Sequence, residues 1–294
     1  MAMAFAFAGG ALGSAHAATY TAGTQSELIT AINTANVDGD ATSTITLTGN
    51  FSISGDSLPE VTKNLIIDIG ANILTSGGPT TFNIGAGAEL TVDGVLRVTG
   101  EPAYDTTAGR VFKTGAGTLY ISGGPSSYSA YVQATTGGIV FKDGAQVTLN
   151  NIYNTSSQSN GRSSVTATGA GTIVTDSAGT NLGADATLNI EAGAHYINNG
   201  NMEVALNAGG TATVNVRGEG SLLQGVLKAT RGVAYINVTE GGHVSSGSTV
   251  VGGIATANAV VSDSGGTAHF LVSGEIDVGQ QRTPRPDPRL ARCA

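Results

Sequence analysis

Ala212-Thr213-Val214-Asn215-Val216 decides the fold of this chain in five residues. It reads small, polar, apolar, polar, apolar. Alternation at period two describes a strand with one face buried. The same phrase recurs at Ala88-Glu89-Leu90-Thr91-Val92, Ala145-Gln146-Val147-Thr148-Leu149, Ala186-Thr187-Leu188-Asn189-Ile190, Ala234-Tyr235-Ile236-Asn237-Val238 and Ala268-His269-Phe270-Leu271-Val272. Looser copies put glycine in the small slot, at Gly117-Thr118-Leu119-Tyr120-Ile121 and Gly171-Thr172-Ile173-Val174-Thr175. Most copies begin about 22 to 34 residues apart, inside the window of solenoid repeats. The interval from Gly171 to Ala186 is only about 15 residues and reads as two strands of one coil.

A five-residue strand bounded by Gly, Asn, Asp or Ser cannot bury its apolar face alone. Stacking copies at the spacing of neighbouring strands, about 4.8 Å, gives every coil two neighbours and one continuous core. A sandwich would need longer strands joined by hairpin turns. Asn160-Gly161 and Asn199-Gly200 are present, but neither lies between two alternating runs. The handedness of parallel connections makes the coil right-handed. The expectation is an all-β, right-handed parallel β-helix solenoid of about eleven coils, about 50 Å long, with a short N-terminal capping helix. Composition agrees: aromatics are 5%, charged residues 12%, and the 44 glycines suit a chain of corners that needs positive φ.

Three regions follow along the chain. Residues 1–17 read as an export signal, with an apolar run from Ala2 to Leu12 and a small-x-small site at Ala15-His16-Ala17. Residues 18–279 form the solenoid. It opens with a capping box, Thr24-Gln25-Ser26-Glu27, and Leu28, Ile29, Ile32 and Ala35 follow at helical spacing. A short helix there covers the open edge of the first coil. Residues 280–294 carry Arg282, Arg285, Arg289 and Arg292 among three alternating prolines, with the lone Cys293, and are expected to form a disordered basic tail. The chain is −8 overall, as −11 up to Gly279 and +3 beyond it.

Several residues within this frame resemble a known family. Ala31-Ile32-Asn33-Thr34-Ala35-Asn36, Ile45-Thr46-Leu47, Leu58-Pro59 and Lys63-Asn64-Leu65-Ile66-Ile67-Asp68 are similar to the opening coils of pectin-lyase-like parallel β-helices. Gly218-Glu219-Gly220-Ser221-Leu222-Leu223 and Glu240-Gly241-Gly242-His243-Val244 resemble passenger repeats of bacterial autotransporters. The resemblance spans about residues 18–279. It implies an exported passenger, adhesin-like and non-catalytic, presented at the cell surface toward host or bacterial glycans or proteins. No translocator barrel follows Gly279, so the sequence reads as a truncated passenger, expected in the periplasm and prone to self-association through an open last coil. The alternative is a carbohydrate-active β-helix enzyme, a polysaccharide lyase or hydrolase.

Candidate chemistry is sparse. The acidic body argues against nucleic acid, and no apolar run is long enough to span a bilayer as a helix. An enzyme of this fold needs carboxylates in a column across coils. The first outward slot reads Glu89, Thr118, Gln146, Thr172, Thr187, Thr213, Tyr235, His269; the second reads Thr91, Tyr120, Thr148, Val174, Asn189, Asn215, Asn237, Leu271. One carboxylate among them is not an acid–base pair. Ser262-Asp263-Ser264-Gly265-Gly266 has the form of a protease nucleophile loop, but it falls inside the repeat and reads as a turn. Asp38-Gly39-Asp40 supplies too few oxygens for calcium. His195, His243 and His269 lack metal-ligand spacing and read as surface residues. No catalytic, cofactor or metal residue is therefore assigned. Asn189, Asn215 and Asn237 share one outward slot and are expected to form a hydrogen-bonded ladder.

Overall fold

The computed structural model describes residues 17–53, 58–78, 80–98, 111–154, 162–207, 209–229, 231–251, 256–262, 269–272 and 276–278. The export-signal reading of residues 1–16, the tail and Ser264 lie outside the described residues. The chain is an all-β parallel solenoid with one short helix among the described residues. Every strand pairing in it is parallel.

Each coil crosses three faces. Residues 163–168, 173–176 and 179–182 are the three strands of one coil, and Ala186–Glu191 returns to the first face directly above Ser163–Thr168. The short interval between Gly171 and Ala186 thus joins the second face of one coil to the first face of the next, not two strands of one coil. Corners often lie within continuous strands: Glu89–Val98 and His195–Val204 each serve two faces. Along the first face, eleven strand segments stack in unbroken register from Thr19–Ala22 to Thr256–Ser262, about 48 Å at the strand spacing.

Alternation generates the core. Leu65, Leu90, Leu119, Ile139, Val165, Leu188, Val214 and Ile236 are successive register partners, and all are buried. Burial of such side chains contributes about 1.5–3 kcal/mol each. A parallel column places Phe141 beside Ala167, so a large side chain meets a small one. Ala186, Ala212 and Ala234 fill the small slot and are buried.

Two parts of the repeat fall elsewhere than the sequence suggests. The copy at 145–149 and the described part of the last copy, residues 269–272, lie on the second face, because Gln146 pairs with Ile173 and His269 with His243. The copy at 171–175 is shifted by one residue. Thr172 and Val174, expected to point outward, are buried, whereas Ile173 is half-exposed. A one-residue slip exchanges the faces of every side chain. Here a longer corner causes it: Thr172 is a corner residue, whose hydroxyl donates to Thr168 O at 2.9 Å and accepts from Gly144 N at 3.2 Å. Ser221 repeats the device, donating to Arg217 O at 2.7 Å and accepting from Gly193 N at 3.0 Å.

The helix is Gln25–Val37, capped by Thr24. Glu27 N donates to Thr24 Oγ1 at 3.3 Å, and Glu27 Oε2 accepts from Gly23 N at 2.7 Å. The reciprocal half of the capping box thus closes on the residue before the cap. Leu28, Ala31, Ile32 and Ala35 are buried against the first coils, and Ile29 is half-buried.

Candidate functional site

Register turns the outward residues into columns. On the first face, Thr166, Asn189, Asn215 and Asn237 stand one above another. Asn189 Nδ2 donates to Thr166 Oγ1 at 3.1 Å, Asn215 Nδ2 to Asn189 Oδ1 at 2.8 Å, and Asn237 Nδ2 to Asn215 Oδ1 at 2.8 Å. The expected ladder is therefore present. Glu89 and Tyr120 share this face as well. Tyr120 OH donates to Glu89 at 3.2 Å, and Lys142 Nζ stands 5.1 Å from the ring centre. Burial, then the Glu89 charge, pushes the Tyr120 phenol up.

A third outward column on this face, which the five-residue phrase omits, brings Asp68 and Asp93 onto neighbouring rungs. Asp93 Oδ1 accepts from Ser122 Oγ at 3.0 Å, and Asp68 Oδ1 accepts from Gly70 N at 3.0 Å. The neighbouring-strand spacing of about 4.8 Å is near the separation that paired carboxylate chemistry uses. Asp93 is exposed and Asp68 half-buried, on an open surface. The same column carries Glu191 beside Arg217, which pairs with Glu240 at 2.7 Å.

The second face is different. Two columns of register partners run along it, from Ile73 to His269 and from Ser52 to Leu271. Arg97, Gln146, Gln224 and three histidines stand there among Ser, Thr, Pro and aliphatic residues, with no Asp or Glu at any rung. His195, His243 and His269 fall in one column, with Leu222 between the first two and the last two on adjacent rungs. Sequence spacing hid this alignment because the three stand on coils of unequal length. Two shallow cavities of about 390 Å³ open on this face. One is bounded by Arg97, Gln146, Thr148 and Ile173, the other by His195, Leu222, His243 and Ser245.

The remaining ionisable groups of interest are structural. Asp38 sits at the C-cap of the helix in a saturated network. Its Oδ2 accepts from Tyr20 OH at 2.7 Å and Ser43 Oγ at 2.8 Å, while Oδ1 accepts from Asp40 N at 3.1 Å and pairs with Lys63. Asp38 and Gly39 form the bend that ends the helix, and no group of three or more metal-ligating side chains occurs among the described residues.

Inside the tube, Asp176, Thr180 and Tyr196 are fully buried. Asp176 Oδ1 accepts from Gly179 N at 2.9 Å and Ala178 N at 3.2 Å, and Oδ2 from Thr180 Oγ1 at 2.8 Å. Thr180 Oγ1 and Tyr196 OH lie 2.6 Å apart. Burial pushes the Asp176 carboxyl up to about 6 despite these donors, and burial with the Asp176 charge raises Tyr196 far above the usual phenol range. Lys113 is also buried, with Nζ donating to the carbonyls of Gly115 at 2.5 Å and Thr136 at 3.1 Å, and burial lowers its amine to about 8. Neither buried group was singled out in the sequence, because alternation alone does not tell a polar residue inside from one outside. No protein-family model, curated protein or solved structure matches the chain.

Proposed function

We propose that this chain is the passenger portion of an exported, autotransporter-type bacterial protein, and that it acts as an adhesin-like rod without catalysis at the cell surface. The observation that carries this reading is the long stack of in-register strands in one parallel solenoid, whose first face carries polar columns such as Thr166, Asn189, Asn215 and Asn237. Such a rod repeats outward positions from rung to rung over a distance far longer than a pocket. The opening residues 31–68 and the repeats at 218–223 and 240–244 support the family reading by resemblance. The Ala15-His16-Ala17 site supports export.

Two experiments test it. Purified rod coupled to beads should adhere to bacterial or host cells, and beads carrying a globular protein of similar charge should not. N-terminal sequencing of protein from an exported fraction should begin at Ala18; a chain that retains Met1 there overturns the processing site.

A second reading, a carbohydrate-active enzyme, is favoured by Asp68 and Asp93 on neighbouring rungs. It requires depolymerisation of an acidic polysaccharide that Asp93→Asn abolishes. No turnover by the wild-type chain on such polymers would remove this reading.

A further inference from the structure

We propose that the N-terminal end of the rod holds a peptide-docking groove, in which an extended segment of a partner protein carrying basic side chains adds as a strand to the edge of Thr19–Ala22. The groove lies apart from the outward columns of the faces and does not rest on the adhesive reading.

The backbone supplies the first wall. Thr19–Ala22 pairs with Thr42–Leu47 and, among the described residues, with no other strand. Ala18 O and Ala22 O accept from Thr44 N at 2.8 Å and Thr48 N at 2.9 Å. In a parallel ladder alternate residues turn both their N–H and their C=O toward the same neighbour. Ala18, Tyr20 and Ala22 therefore face the paired strand, and Thr19 and Thr21 turn to the open side. Two N–H donors and two C=O acceptors stand there without a partner among the described residues, and both threonines are exposed. Such a row is the template for one more strand.

The helix supplies the second wall. Gly23 N donates to Glu27 Oε2 at 2.7 Å at one end, and Tyr20 OH donates to Asp38 Oδ2 at 2.7 Å at the other. Gln25–Val37 thus runs back alongside the edge strand. Its buried residues, Leu28, Ala31, Ile32 and Ala35, close the end of the tube. A groove of about 470 Å³ remains between Thr19 and Thr21 on one side and Glu27, Thr30, Ala31 and Thr34 on the other. The helix shields the tube and not this side of the strand. It stands in the way of a second solenoid, whereas a single extended chain fits between strand and helix.

Chemistry selects the occupant. Glu27 is the one Asp, Glu, Lys or Arg lining the groove. Thr30 Oγ1 donates to Ser26 O at 2.9 Å, and Thr34 Oγ1 donates to Thr30 O at 2.8 Å. With their protons committed to the helix, these hydroxyls meet a ligand as acceptors. Lys63 is the only Lys or Arg before Arg97, and Asp38 holds it. This end of the rod therefore draws a donor-rich, cationic segment. A glycan has no backbone to complete the ladder, and a proline-rich segment lacks the N–H groups for it.

The test titrates the full chain with an end-blocked peptide, Lys-Val-Thr-Val-Lys, by calorimetry and by amide hydrogen exchange. The peptide should bind, and the amides of Thr19 and Thr21 should then exchange more slowly. Its counterpart with methylated backbone nitrogens cannot donate and should bind about tenfold more weakly, as should Glu-Val-Thr-Val-Glu. Thr21→Pro deletes one donor on the open side of an edge strand, where proline is tolerated, and should also weaken binding about tenfold. Glu27→Gln keeps an acceptor for Gly23 N but loses the charge, and should weaken the lysine peptide about threefold. Glu203→Gln, on the third face, removes the same charge and should change nothing. Circular dichroism checks that each variant keeps its β-sheet signal. No binding of the lysine peptide, equal binding of the methylated form, undiminished binding to a folded Thr21→Pro, or protection elsewhere than at Thr19 and Thr21 would each overturn the proposal. Slow exchange of both amides in the free chain would mean that the chain fills its own groove. A dimer in sedimentation that Thr21→Pro abolishes would give the edge to a second copy. Either result overturns the proposal too, whereas adhesion of rod-coated beads reports on the adhesive reading alone.

Discussion

Asn215 Nδ2 donates to Asn189 Oδ1 at 2.8 Å across neighbouring coils, and Asn215 Oδ1 accepts from Asn237 Nδ2 at the same distance. The Asn215 amide therefore gives to one rung and takes from the next, as does that of Asn189. The geometry is possible only because parallel in-register strands hold identical side chains at the strand spacing. Asn215 is the central link.

Asn215→Ala should destabilise the chain by about 1–2 kcal/mol, the scale of two net hydrogen bonds. Asn215→Asp should cost more, since a carboxylate cannot donate to Asn189 Oδ1. Urea denaturation followed by circular dichroism gives the comparison; an unchanged midpoint for both would show the ladder to be energetically idle.

Asp176 should make the rod less stable toward neutral pH. Burial raises its carboxyl from 3.8 to about 6, so the folded chain holds this proton more tightly than the unfolded one. Below pH 3.8 the group is neutral in both states and costs nothing. Stability then falls as pH rises from about 4 to about 6 and stays level above, a loss of about 3 kcal/mol. Thermal melts across this window should show that slope in wild type and its loss in Asp176→Asn.

Lys113 should act in the alkaline range. Its folded amine lies near 8, below the ordinary 10.5, because burial disfavours the charge. The penalty is fully present below pH 8 and is relieved as pH climbs from about 8 to about 10.5. Wild type should therefore gain stability over that interval, and Lys113→Met should not. Equal slopes in the two proteins would refute the assignment.

The helix should behave as a cover. Thr24→Ala removes the cap bond to Glu27 N and should cost about 1 kcal/mol. Leu28→Asp places a charge at a fully buried site against the first coil. It should detach the helix, expose the edge of Thr19–Ala22 and promote association. Sedimentation velocity should then show larger species for Leu28→Asp than for Thr24→Ala; two monomeric variants would remove the covering role.

Alternation and spacing by themselves determined the parallel solenoid, its inward aliphatic columns, the capping helix and the asparagine ladder. Each of these is local, or repeats locally, so Ala212 to Val216 carries nearly all the information. Corner length is not local in its effect. The extra residue at Thr172 moved a strand by one position and exchanged Ile173 for Val174 on the surface. Coils of unequal length hid the alignment of His195 with His243, and the five-residue phrase stopped one position short of Asp68 and Asp93. Burial of Lys113 and Asp176 was hidden too, because a period-two pattern marks both faces of a strand alike when polar residues stand on each. Only the closed tube decides which carboxylates and histidines meet, since register between rungs is fixed by the corners and not by the strands.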